Sequence, residues 1–305
     1  MPNRRIALCL WSFDNEYQDL QRRDALEHAH YHRISVAEYS AQNDPETQVG
    51  QIRRALAQPP SERPYAILVH PVRDSRLIAV AREAASQGVG WVILNRDADY
   101  LHDLRQKFPE LLLFCVKPDQ HQVGRIQGRQ FKRLLPEGGE LFYIQGPLLV
   151  STAEARFAGV QEELRGSPIK LVTFRADWTS EGGEQALRSW IQTVEAADLP
   201  KCLVGAQNDN MAVGAKQALA SEAEARGQPA IARVHVTGCD GLPGFGQRLV
   251  RERTLAATVV IPPTAGRAVD QVGAALGGAA QPPEELVLGV SSFPPLEDLE
   301  PPHGS

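Results

Sequence analysis

The chain has no excess of basic residues: 32 Lys and Arg stand against 37 Asp and Glu, a net charge of −5 over 305 residues. A nucleic-acid surface is a concentration of positive charge, and this composition offers none. Disulfide and zinc frameworks are missing too. The four cysteines, Cys9, Cys115, Cys202 and Cys239, lie far apart and form no Cys-x-x-Cys pair. They read as buried free thiols, which favours a reducing compartment. No apolar run approaches the ~20 residues that span a membrane, so no membrane insertion is expected. Two arginines precede Ile6–Trp11, but that run is too short for an export signal and no small-residue cleavage site follows. The chain as given is expected to be cytoplasmic, or periplasmic if an export signal precedes its present start. Catalytic signatures are equally scarce. No dinucleotide fingerprint follows the first strand, and there is no phosphate-binding lysine loop and no Gly-x-Ser-x-Gly elbow. "GLPGFG" (241–246) has the wrong glycine spacing. No nucleophile sits beside a base. No catalytic residue, cofactor or metal is therefore expected.

What the chain does have is rhythm. Hydrophobic residues make up 43% of it, enough for one large or two ordinary domains. Apolar, β-rich runs fall at 5–11, 33–39, 66–71, 91–95, 111–116, 141–146, 170–175, 202–207, 232–238, 256–261 and 286–290. Amphipathic helical patterns fill most of the gaps, one of them closing on Gly88. Continuous apolar strands alternating with helices predict an α/β fold with parallel sheets covered on both faces. Eleven strands are many for one open sheet, so two doubly wound lobes fit better. The Pro-rich, acidic end "SSFPPLEDLEPPHGS" predicts a docking segment and then disorder. His28 and His32, at i and i+4 in "HAHYH", predict either a metal grip or an exposed helix end.

Polar residues gather where strands end: "SFDNEY" after the first, "NRD" after the fourth, "QNDN" after the eighth and "TGCDG" at the ninth. Open α/β sheets hold ligands at the carboxyl ends of their strands. Asn and Asp beside Arg build directional hydrogen-bond networks, and Tyr and Trp offer flat apolar faces. That set suits a neutral polyhydroxylated ring.

Taken together, "IALCLWSFDNEY", "VILNRD", "STAEARFAGV", "AQNDNMAVGA" and "VTGCDG" resemble, in order and spacing, the type I periplasmic-binding-protein superfamily. The similarity is greatest to ribose-binding proteins and extends to lactose-repressor-type sensor domains. It runs from about Arg5 to Val290. The resemblance implies two Rossmann-like doubly wound parallel-sheet lobes joined by a three-segment hinge. The implied lobes are 1–117 with 262–290 and 118–261 with 291–298, followed by a disordered tail at 299–305. It also implies a sugar or polyol-like ligand, captured by hinge closure for ABC-type uptake or sensing. The partner would be an ABC permease or a signalling protein, with a monomer or a dimer as the assembly. The alternative is the sensor domain of a regulator that lacks its own DNA-binding domain.

Carried over position by position, the implied ligand contacts are Trp11, Asn15, Tyr17, Asn95, Arg96, Arg156, Trp178, Asn208, Asp240 and Ile261. Several have a structural alternative: a helix cap for Asn15, pairing with Asp97 for Arg96, interlobe packing for Trp178, a turn for Asp240. Asn208 is expected to face ligand and Asp209 to cap the helix. The chain departs from the ribose-type pattern. Trp11 replaces a small polar residue, Gln18 a second aromatic, Asn95 an aspartate and Ile261 a glutamine. A ribose would leave hydroxyls unpaired beside Trp11 and Ile261, so a ligand with an apolar substituent, a deoxy sugar or another polyol-like molecule is expected.

Overall fold

The structure, a computed structural model, describes residues 4–96, 98–195 and 197–301. The chain divides into two compact units: 1–118 with 263–288, and 119–262 with 289–305.

The first unit is a six-stranded sheet. Its strand order is Glu285–Leu288, Leu113–Pro118, Gly90–Leu94, Ala66–Val69, Arg5–Leu10, Ser35–Ser40, and every pairing is parallel. The period of two sends alternate side chains to opposite faces. Ala7, Cys9, Ile67, Val69, Trp91 and Ile93 join one apolar cluster, with the helices Pro45–Leu56, Ile78–Ser86 and Tyr100–Lys107. Ile6, Leu8, Leu10, Leu68, Val92 and Leu94 join another, under the helices Glu16–His32 and Ala265–Leu276. Burial on both faces is why these strands read as unbroken apolar runs.

The second unit carries a parallel four-stranded sheet in the order Ile169–Arg175, Gly139–Gln145, Leu203–Ala206, His235–Thr237. One face packs on the helices Ser180–Ile191 and Asp209–Arg226, the other on Gln120–Leu134 and Ser151–Leu164. The last two helices touch backbone to backbone. A Cβ on Gly124 would fall 1.9 Å from the carbonyl oxygen of Arg156, and one on Gly159 would fall 2.1 Å from that of His121. Only glycine permits that approach, and it fixes the height of Arg156 over the sheet.

All eleven expected strands are present. A twelfth, Ser291–Phe293, pairs antiparallel with Thr258–Val260. The expected tail starts differently from the sequence reading. Leu299 is buried in the second unit's cluster with Leu141 and Phe131, and Leu296 packs against it. Residues 302–305 lie outside the described residues. All four cysteines are buried and unbridged. Among the described residues no helix is long and apolar enough to cross a membrane.

Candidate functional site

In the first unit the turn after Arg5–Leu10 leads into a helix capped by Asn15. Its Oδ1 accepts the Gln18 amide at 3.0 Å, and its backbone is extended (φ −122°, ψ 141°). The capping alternative for Asn15 is thus realised, and the Nδ2 of its half-buried side chain stays out of the cap. Two residues on, Tyr17 donates its hydroxyl to Asn95 Oδ1 at 3.2 Å in the interior. Asn95 has φ 66°, a left-handed conformation that asparagine tolerates better than most residues.

Beneath this pair lies a residue the sequence reading missed. His70 is 2% exposed, with Gln18 Nε2 3.0 Å from its Nδ1 and Asn95 Nδ2 3.4 Å from its Nε2. Burial, and then the Arg96 cation, hold its pKa well below the usual value, so the ring is neutral. A neutral imidazole has one N–H and one acceptor nitrogen, so one of the two flanking amides presents its oxygen to it. Gln48 Nε2 donates to the His70 carbonyl at 2.9 Å and anchors the turn. The Trp11 ring tilts at 55° against His70 with 5.7 Å between centroids, and its buried indole N–H has no hydrogen-bond partner.

Arg96 is 8% exposed and donates through Nη1 to Asp74 Oδ2 at 3.2 Å. Asp97, the partner the sequence offered, lies outside the described residues. Arg96 Nε and Asp74 Oδ1 are both buried without a partner. An orphaned guanidinium N–H beside an orphaned carboxylate oxygen is costly unless something else fills the hydrogen bonds.

In the second unit's four-stranded sheet every pairing is parallel, so the turns after Gly139–Gln145, Ile169–Arg175, Leu203–Ala206 and His235–Thr237 share one edge. Arg156 is 4% exposed there. Its Nε donates to Gln120 Oε1 at 2.8 Å, its Nη1 to the Gln207 carbonyl, and its Nη2 lies 3.9 Å from Asp240 Oδ1. The guanidinium stands 6.0 Å from the centroid of the half-buried Trp178 ring, within cation–π range. That ring lies on Gly146, where a Cβ would sit 2.2 Å from it. Asn208 holds the Trp178 turn, its Nδ2 donating to the Trp178 carbonyl at 2.9 Å.

The expected cap role of Asp209 is corrected here. Asn208 is itself the cap of Asp209–Arg226, its Oδ1 accepting the Met211 amide at 2.8 Å. Asp209 points inward instead. It is 1% exposed and accepts from Gly241 N at 2.9 Å and from the Thr258 hydroxyl at 2.7 Å. Burial, and then the like charge of Asp240, raise its pKa well above the usual carboxylate range. It braces the turn in which Asp240 takes φ 103°. Asp240 and Ile261 are tied by backbone, with Ile261 N donating to the Asp240 carbonyl at 3.0 Å, but the Ile261 side chain is only 2% exposed. Cys239, beside Asp240, is no ready nucleophile, because burial pushes its thiol upward.

Each unit therefore brings together its own set: Trp11, Tyr17, Asn95 and Arg96 around His70 in one, and Arg156, Trp178, Asn208 and Asp240 in the other. His70 ends an apolar strand, the same signal that flagged its neighbours. Asp74 and Gln120 carried no comparable signal, whereas Gln207 opens the flagged "QNDN". His28 and His32 are neither a bare helix end nor part of a metal cluster. Both reach Asp270 Oδ1, at 2.8 and 2.9 Å, and no group of three potential ligands among the described residues is placed to hold a metal.

A family model described as the periplasmic binding protein domain matches residues 6–279. The D-ribose/D-allose-binding protein of Pseudomonas aeruginosa is 26% identical over 257 residues, covering 83% of this chain and 75% of that protein. The galactofuranose-binding protein of Escherichia coli is 26% identical over 241 residues, covering 78% and 71%. Among solved structures, a periplasmic solute-binding protein of an ABC transporter from Actinobacillus succinogenes, with D-allose bound, superposes with a TM-score of 0.80 at 21% identity, covering 94% of this chain and 96% of that one. The Caulobacter myo-inositol-binding protein gives 0.78 at 20% identity, covering 95% and 93%.

Proposed function

We propose that this chain, which belongs to the periplasmic binding protein family, is a solute-binding protein for a neutral sugar or sugar-like polyol, serving ABC-type uptake or sensing. The observation that carries this reading is the group on the second unit's sheet edge. A tryptophan face is held on Gly146 by Asn208, with a buried arginine and a carboxylate beside it. The ring face stacks on C–H surface, Arg156 donates to hydroxyls and Asp240 accepts from them. Asn95 and Arg96 of the first unit also contribute to the affinity for that ligand. Recognition then proceeds without breaking a bond. The orphaned Arg96 Nε and Trp11 Nε1 are donors for that ligand to fill. The P. aeruginosa relative is named for D-ribose and D-allose and the E. coli relative for galactofuranose, which supports a polyhydroxylated ligand. Trp11 favours one less polar than ribose.

Thermal unfolding against a panel of D-ribose, D-allose, myo-inositol and xylitol tests the reading. A true ligand at 100 times its dissociation constant stabilises the chain by about 2.7 kcal/mol. A panel of sugars and polyols that leaves the unfolding temperature unmoved at millimolar concentration would count against it.

A further inference from the structure

The turn "GPLLVS", residues 146–151, breaks three local rules in succession. Leu148 is 65% exposed and Leu149 90% exposed, more than any other large aliphatic side chain among the described residues. Leu149 also has φ 62°, a conformation that favours glycine and asparagine. Val150 then stands at the cap position of the helix Ser151–Leu164 and makes no side-chain cap. Gly, Asn, Ser or Asp would satisfy each of these positions better. A sequence that departs from all three preferences at one turn marks a functional surface rather than a structural need.

The turn's roots are firmly held. Arg175 donates through Nη1 to the carbonyls of Gly146 and Pro147, both at 3.4 Å, and through Nη2 to Glu154 at 2.8 Å. Gly146 N donates to Gln207 Oε1 at 2.8 Å, and Trp178 lies on Gly146. The helix this turn starts carries Arg156. The two leucines are thus an apolar projection whose base is shared with the Trp178–Arg156 pair.

We infer that Leu148 and Leu149 receive an apolar arm of the ligand, so that the solute class is a polyhydroxylated ring bearing an alkyl, acyl or aryl substituent. This rests on the reading of Trp178 and Arg156 as the ring-binding pair. An apolar arm would cover leucines that otherwise face water.

The test is calorimetric titration of the full chain with D-ribose, D-allose, myo-inositol and xylitol, and with the mono-O-n-butyl ether of each. The same titrations are run on the double variant Leu148→Ser, Leu149→Gly. Glycine suits the left-handed position, and unfolding temperature verifies that the variant is folded. The expected result is that one butyl ether binds about tenfold tighter than its parent, the scale of two buried methylenes. In the variant that ratio falls towards one. A ratio near one in the native chain overturns the inference and leaves the sugar reading intact. So does a ratio that survives the double substitution; if the variant then also loses solute uptake in cells, the leucines belong to a protein partner. Failure of every parent and every ether to bind overturns the sugar reading and this inference with it.

Discussion

Trp178 shows how a single side chain is made ready to bind. Its ring rests on Gly146, its carbonyl is held by Asn208, and Arg156 stands beside its face. Trp178→Ala is expected to weaken binding of the ligand by about 1–3 kcal/mol, the usual scale of aromatic stacking and burial. Titration reads this, while the unfolding transition stays cooperative because the ring is only partly buried. The charged pair is expected to matter more than the neutral amide. Arg156→Ala and Asp240→Ala should each cost more affinity than Asn15→Ala, since each strands a charge next to a desolvated partner. Asn15→Ala removes a neutral amide, and its cost falls on the cap of the helix Glu16–His32 rather than on a charge. Titrating the three variants checks the order, and Asn15→Ala as the most damaging would contradict the charge network. Positions at this scale were legible because strand ends are punctuated by polar residues. Partners were not. Four polar residues, Gln207 to Asn210, follow the strand Leu203–Ala206, and any of them fits a cap by composition. The extended backbone of Asn208 (φ −150°, ψ 166°) decides it, and no residue pattern encodes that choice. Arg96 likewise finds Asp74, 22 positions away in sequence, by tertiary proximity.

At the scale of elements, the helices Glu16–His32 and Ala265–Leu276 are clamped by the pair of histidines. His28 and His32 lie one turn apart and converge on Asp270. Gly266 and Gly273 flank Asp270 and leave room for the rings. A Cβ would fall 2.6 Å from His28 at the first and 2.4 Å from His32 at the second. The hydrogen bond to Asp270 is the largest influence on His28 and raises its pKa, with Asp24 and Glu27 adding negative charge nearby. A raised histidine stabilises the fold fully below its unfolded value of about 6.5 and loses that contribution as pH climbs through the folded value. His70 runs the other way. Its pKa is depressed by burial and by Arg96, so its neutral ring costs stability as pH falls below about 6.5. Thermal unfolding in His70→Asn is therefore expected to show a midpoint that declines from about pH 6.5 upward. Adding Asp270→Asn should flatten that decline, and an unchanged slope would contradict the clamp. The i, i+4 histidines were visible in the sequence. Their carboxylate, more than 230 residues later, was not. Ser291–Phe293 was missed for a related reason. Three residues, two of them serines before prolines, carry too little β signal until Thr258–Val260 is there to pair with.

For the whole molecule, the alternation of apolar strands and amphipathic helices made the α/β architecture readable, because strands buried on both faces cannot hide their hydrophobicity. The chain passes between its two units three times, near 118, 262 and 288, where Pro118, Pro262, Pro263 and Gly289 stand. The central claim is our proposal that the chain binds one polyhydroxylated solute and that Arg96 and Trp178 each contribute to its affinity. It is tested most directly by isothermal titration of the sugar and polyol panel into the native chain, Arg96→Ala from the first unit and Trp178→Ala from the second. The account predicts one-to-one binding of at least one panel member, weakened about tenfold or more by each substitution, as loss of a buried charged donor or of a stacked ring implies. Absence of binding across the panel, or binding indifferent to either substitution, would contradict it.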